Sequence, residues 1–155
     1  MTPPEVSSRV VTAADVMSSP VITVPATGTI WDAWSVLVSC GVRHAVVVSG
    51  ARCVGVVDDR LLVQAWQQGP SALRTRAIKG LLAERTSCVL PETEIGEVAA
   101  LMNLERLDAV PVVDGTGRLI GLLTAGDIVH AVARYGLHDE LHLVSLGSSD
   151  DDEQH

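Results

Sequence analysis

Thr124 and Asp127 stand three residues apart, directly after the apolar run Leu119-Ile120-Gly121-Leu122-Leu123. A hydroxyl and a carboxylate at that spacing can close a capping box, each satisfying a backbone N–H at a helix start. The same Thr-x-x-Asp string occurs at Thr12–Asp15, where it reads only as a cap. Spacing alone therefore does not make Thr124 and Asp127 a site. Asp58, Asp108 and Asp127 could form an acidic metal cluster, but no Cys or His ligand set in the sequence supports one. His138-Asp139-Glu140-Leu141-His142 lacks the glutamate in second place that a zinc-protease helix needs. No Ser or Cys sits in a nucleophile-elbow or Cys-His setting, and no glycine-rich phosphate loop is present. The chain reads as a binding protein, not a catalyst, and no cofactor is required.

Bulk properties narrow the class further. The chain has 155 residues, the size of one ordinary domain, and is 47% hydrophobic with a mean hydropathy of +0.31. Even so, no apolar run approaches the roughly 18 residues of a membrane span. The start, Met1-Thr2-Pro3-Pro4-Glu5, lacks the basic and apolar regions of a signal peptide. Cys40, Cys53 and Cys88 are odd in number and set among apolar residues, which predicts buried core thiols in a reducing cytoplasm. Net charge is −8, and Asp150, Asp151, Asp152 and Glu153 supply half of it. Residues 147–155 thus read as a disordered, solubilising acidic tail. With one Lys, no Phe and one Tyr, the chain offers no basic patch interleaved with aromatics, and nucleic acid is not expected as a partner.

The elements that must position any site come in two copies. Val24, Ile30, Leu37, Val47 and Val48 recur 65 residues later as Val89, Ile95, Met102, Val112 and Val113. One extra residue then moves the offset to 66, and Arg52, Val54, Gly55, Leu62, Val63 and Ala65 recur as Arg118, Ile120, Gly121, Ile128, Val129 and Ala131. Such duplication signals a repeated supersecondary unit. In the first copy the patterns predict a short helix from Thr12 to Met17, a strand Val21–Val24 and a helix from Ile30 that Gly41 stops. A hairpin follows, Ala45–Val48 with Val54–Val57, and then a helix capped by Asp58 or Asp59 and reaching Trp66. In the second copy they predict a short helix Ala77–Leu82, a strand Ser87–Leu90, a helix Ile95–Leu104 and a hairpin around Asp114-Gly115-Thr116-Gly117. The last helix runs from about Ala125 to Tyr135. Residues 137–146 could continue as helix or strand.

Strands this apolar are buried on both faces, so helices must cover the sheets. The expected class is α/β (α+β): two pseudo-symmetric β-α-β-β-α repeats, each preceded by a short helix and packed through their sheets. The boundaries read as a leader 1–10, a first repeat 11–68, a linker 69–76 and a second repeat 77–135.

These motifs resemble a tandem pair of cystathionine-beta-synthase (CBS) domains, a Bateman module. The first copy carries Asp15-Val16-Met17-Ser18-Ser19-Pro20-Val21-Ile22-Thr23-Val24, Gly41-Val42-Arg43-His44-Ala45 and Val54-Gly55-Val56-Val57. The second carries Val110-Pro111-Val112-Val113-Asp114 and Gly117-Arg118-Leu119-Ile120-Gly121-Leu122-Leu123-Thr124-Ala125-Gly126-Asp127-Ile128. The resemblance spans about residues 11–135. It implies an adenosine-containing ligand (AMP, ADP, ATP or S-adenosylmethionine) between the repeats. It also implies ligand-binding positions at Thr124, Asp127, Val110, Pro111, Cys88, Arg43 and His44. In the family the aspartate accepts the ribose hydroxyls, while the threonine and the helix start face the 5′-phosphate. Arg43-His44 matches a basic pair that reaches the phosphate from the facing repeat.

The first repeat departs from this pattern: Asp58 stands at the position of Thr124 and Leu61 at that of Asp127, while Asp108-Ala109 replaces Arg43-His44 in the second. One ligand per chain is the expectation. The leading functional reading is a regulatory sensor that signals to an unidentified partner protein. The alternative is a ligand-free dimerisation or docking module. A homodimer is expected through the helical faces: if Ile30, Ala33 and Leu37 face the sheet, Trp31 cannot, and an exposed Trp is a natural interface anchor.

Overall fold

The computed structural model describes residues 9–136. The leader's first eight residues, the stretch 137–146 with its His138–His142 string and the acidic tail lie outside it. The first repeat comprises α1 (Ala13–Val16), β1 (Thr23–Pro25), α2 (Ile30–Cys40), β2 (His44–Ser49), β3 (Arg52–Asp58) and α3 (Asp59–Trp66). After it come α4 (Pro70–Thr75) and a 3₁₀ turn, Ile78–Leu81. The second repeat continues with α5 (Ile95–Glu105), β4 (Ala109–Val113), β5 (Leu119–Thr124) and α6 (Ala125–Tyr135). No helix among the described residues is long and apolar enough to cross a membrane.

Local chemistry starts and stops these elements as the sequence predicts. Thr12 and Thr124 head capping boxes with Asp15 and Asp127. A third box, Thr29 with Asp32, opens α2, where the sequence carries the same Thr-x-x-Asp signal. Asp58 caps α3 through Leu61 N, 2.7 Å from Oδ1. Gly41 ends α2 in the left-handed region, at φ 63°. Its counterpart Arg106 ends α5 at φ 57°, where a side chain is disfavoured. Arg106→Gly is therefore expected to raise unfolding free energy by about 0.5–1 kcal/mol, measured by urea titration. No gain would mean that the extra freedom of the unfolded glycine chain cancels the relief.

The sheets depart from strict symmetry. In the first, β1 pairs parallel with β2, and β2 antiparallel with β3. In the second, β4 and β5 pair alone. The strand expected at Ser87–Leu90 is reduced to one parallel bridge from Val89 to Val112. Its pairing is limited to two bonds, Val89 N to Pro111 O at 3.0 Å and Val113 N to Val89 O at 2.9 Å, too few to extend a ladder. Both hairpins slip register at equivalent points, Val47/Val48 and Val112/Val113. The segment expected as a plain linker holds α4, which Pro70 can open because the first helical position needs no N–H donor.

The lead-in segments cross over. Residues 11–17 precede the first repeat in sequence but pack on the second: Ala13 N donates to Thr93 O at 2.8 Å, and Ile95 N to Val11 O at 3.0 Å. Residues 76–82 do the reverse: Ile78 N donates to Gly28 O at 2.9 Å, and Ile30 N to Arg76 O at 3.1 Å. Ile78 and Leu73 accordingly sit in the first repeat's core with Val24, Ile30, Leu37, Val47, Val57 and Leu62. Ala13 joins the second core with Ile95, Val98, Met102, Val110, Val112 and Leu123. A third cluster, Val46, Ala109 and Leu122, with Cys53 and Val56 at its edge, joins the two repeats. The expectation of three buried cysteines is corrected here: Cys40 is exposed, and Cys53 and Cys88 are only partly buried. Cys40 is the last residue of α2, beyond the buried positions Ile30, Ala33 and Leu37 that face the sheet.

Candidate functional site

At one end of the two sheets β2 and β4 begin while β3 and β5 finish. His44 lies opposite Asp58, and Ala109 opposite Thr124. The backbone repeats this arrangement: Asp59 N donates to Arg43 O at 3.2 Å, and Ala125 N to Asp108 O at 2.8 Å. Those two bonds place Arg43 and Asp108 at equivalent positions beside the starts of α3 and α6.

An open cavity of about 260 Å³ lies here, slightly below the size range of roughly 300–1,000 Å³ common for small-molecule sites. Val21, Ile22, Val42 and Leu122 supply an apolar wall, and Arg43, His44 and Thr124 the polar end. Ser18, which also lines it, is zipped to the edge of β5: Ser18 N reaches Leu122 O at 2.9 Å, and Leu122 N reaches Ser18 O at 3.1 Å. This cleft is thus composite, with Val21, Ile22 and Val42 from the first repeat and Leu122 and the helix start from the second.

Of the seven expected site residues, Thr124, Arg43 and His44 share this cavity. Asp127 is tied to it through Thr124. Its Oδ2 accepts from Thr124 N at 2.8 Å and from Thr124 Oγ1 at 3.0 Å, while Asp127 N donates to Thr124 Oγ1 at 3.3 Å. A carboxylate has about four acceptor positions, so the cap leaves capacity for two vicinal hydroxyls. The Thr124 hydroxyl proton, however, is committed to Asp127 and does not point at a ligand phosphate in this state. Val110 is fully buried in the second repeat's core and Pro111 is buried beside it, so neither opens onto this cavity. Cys88 does not line the cavity either; its free thiol neighbours that of Cys53, and this neighbour together with burial pushes the Cys53 thiol up from its ordinary value.

The wall residues Val21, Ile22, Val42 and Leu122 were not singled out from sequence. They sit inside the repeated motifs, but nothing local marks an apolar residue as cavity lining rather than core.

Arg43 is less free than expected. Its Nε lies 3.1 Å from Asp59 Oδ2. That bond holds the Asp59 carboxyl below the usual carboxylate range, and Asp59 first, then Asp108 and Asp58, raise the Arg43 guanidinium. Asp108 pairs with Arg60 at 3.0 Å. The arrangement suits a ligand with an apolar ring for the wall and hydroxyls for Asp127, near a centre of mixed charge.

The family profile described as CBS domain matches residues 13–67 and again 80–134. An A-adding tRNA nucleotidyltransferase of Geobacter sulfurreducens is 32% identical over 126 residues, 81% of this chain but only 14% of that protein. Inosine-5'-monophosphate dehydrogenase of Methanocaldococcus jannaschii is 29% identical over 118 residues, 76% of this chain and 23% of its own. The chain thus spans less than a quarter of either relative. Among solved structures, CBSX2 in complex with AMP shares 27% identity at a TM-score of 0.71, covering 81% of this chain and 98% of that one. CBSX2 is a CBS-pair protein from Arabidopsis thaliana.

Proposed function

Because the chain belongs to the CBS-domain family, with two repeats in tandem, we propose that it is a regulatory sensor. In this reading an adenosine-containing ligand binds the composite cavity and biases a conformational equilibrium read by a partner protein. The observation that carries this is Thr124, at the start of α6 and joined to Asp127, sharing one cavity with Arg43 and His44 beside an apolar wall. A neighbour with the same fold is described in complex with AMP. The ring would occupy the wall of Val21, Ile22, Val42 and Leu122, and the ribose hydroxyls the spare acceptors of Asp127. A ligand can signal only through unequal affinity for two states, which a cleft shared by both repeats would supply where the repeats shift against one another. The first repeat's counterpart, with Asp58 and Leu61, lacks the ribose acceptor, so one ligand per chain is expected.

Thermal unfolding against AMP, ADP, ATP and S-adenosylmethionine tests this. A ligand at a hundred times its dissociation constant adds about 2.7 kcal/mol. Calorimetry with the best compound should give one site per chain; no response to any of the four would end the proposal. Asp127→Ala is expected to weaken that compound about 10- to 100-fold, since hydrogen bonds to a charged acceptor contribute roughly 1.5–3 kcal/mol. Loss of the cap alone would cost about 1 kcal/mol of stability and leave affinity intact.

A homodimer through the helices belongs to the same reading. Ile30, Ala33 and Leu37 face the core, leaving Trp31 38% and Val38 65% exposed on α2, and Trp66 50% exposed at the end of α3. Trp66 packs tilted on Trp34, ring centres 6.2 Å apart, and Arg74 covers Trp31 at 4.7 Å. Sedimentation at tens of micromolar should show a dimer that Trp31→Ala weakens. A wild-type monomer would remove the dimer, and an intact mutant dimer would remove Trp31 from its interface.

A further inference from the structure

The two repeats differ in chemistry at three neighbouring positions: Asp58 against Thr124, Arg43 against Asp108, and His44 against Ala109. Three of these side chains converge. His44 from the start of β2, Asp58 from the end of β3 and Asp108 just before β4 each place a donor atom within 4.8 Å of the other two. We propose that they form a divalent-cation site joining the repeats.

The backbone fixes the triangle. His44 and Asp58 are directly opposed in the β2–β3 ladder. Asp108 is anchored by its carbonyl, which accepts from Ala125 N at 2.8 Å. Each carboxylate has one oxygen occupied, Asp58 Oδ1 by Leu61 N and Asp108 Oδ2 by Arg60, and a second oxygen to offer. Bonds of about 2.0–2.2 Å to nitrogen and oxygen at tetrahedral angles set donors roughly 3.4 Å apart. The donor atoms lie within 4.8 Å of one another, so an ion must draw them closer, and the Asp108 side chain, 45% exposed, has room to turn.

One imidazole with two carboxylates suits zinc or manganese; magnesium and calcium prefer oxygen donors alone. Asp58 and Asp108 supply two formal negative charges toward the ion, which competes with Arg60 for Asp108 and sits near the Arg43 guanidinium. Because two ligands come from the first repeat and one from the second, an ion here would tie the repeats together.

The test uses the full chain freed of metal with EDTA, without nucleotide, so its outcome is separate from that of the adenosyl-ligand reading. Calorimetric titration with zinc or manganese chloride should show a site of one ion per chain, and the ion should raise the unfolding midpoint. His44→Gln and Asp108→Asn should each weaken it at least tenfold. Asp58→Asn should do the same while keeping the helix cap, because Asn caps as well as Asp. Each variant's midpoint in EDTA reports whether it folds. His130→Gln, on exposed α6, should leave the site unchanged. An isotherm unaltered in both His44→Gln and Asp58→Asn, or magnesium binding as tightly as zinc, would overturn the proposal.

Discussion

Ile78→Ala is expected to lower the unfolding free energy by about 3–4 kcal/mol, although residue 78 lies outside the first repeat's own sequence and in a short 3₁₀ turn. Buried Ile-to-Ala truncations cost roughly 2–5 kcal/mol, through lost transfer energy and the cavity left behind. Ile78 is fully buried in the first repeat's core, beside Leu73 and Ile30. Its amide is held by Gly28 O at 2.9 Å, so the backbone cannot easily follow the shrinking side chain. Lys79→Ala, one residue on and exposed, should stay within about 0.5 kcal/mol of wild type. Urea titration of both variants makes the comparison. A cost below 1 kcal/mol for Ile78→Ala would mean that the crossing segment is decoration on the core rather than part of it.

The second large effect is expected at Gly121, in the middle of β5. A Cβ built there would lie 2.3 Å from Met17 Sδ, 2.8 Å from its Cγ and 3.0 Å from its Cβ. Gly121→Val should therefore cost about 3 kcal/mol, at the upper end of typical overpacking penalties. Met17 Sδ and Cγ can turn away, but its Cβ, 3.0 Å from the built atom, is fixed by the crossing backbone, whose next residue Ser18 is paired with Leu122. Adding Met17→Ala to Gly121→Val should recover at least about 1 kcal/mol relative to additivity. Additive costs would show that the two residues do not press on one another. In the other repeat a Cβ built on Gly55 would lie 2.8 Å from Leu82 Cδ1, which suggests the same experiment by symmetry.

Much of the fold was legible because its determinants are local. Helix α2 needs only the spacing of Ile30, Ala33 and Leu37 and the glycine at 41. The second hairpin needs only the Asp114–Gly117 turn between two apolar runs. The strand expected at Ser87–Leu90 failed for the opposite reason. Its apolar pattern is adequate, but a strand exists only where a partner offers a ladder, and the partner here offers two bonds around Val89. The candidate site divides the same way. The Thr124–Asp127 cap was legible because its bonds run over three residues, whereas its place at a cavity depends on segments far apart. The expected ligand contacts at Val110 and Pro111 are buried in core positions, a matter of which face of β4 meets which helix.

The sequence by itself determined the duplication, the number and order of most elements, and the caps that open α1, α3 and α6. Those properties follow from periodicity and from hydrogen bonds closed within a few residues. Only the tertiary structure decided that the lead-in segments exchange repeats, that Cys40 is exposed, and that Thr124 shares its cavity with Arg43 and His44. It alone gathered His44, Asp58 and Asp108. Each of these outcomes depends on packing between segments tens of residues apart. Residues 11–17 carry no local mark of whether their apolar side chains will be buried against their own repeat or the other; the side that offers unpaired backbone groups and an open apolar face takes them.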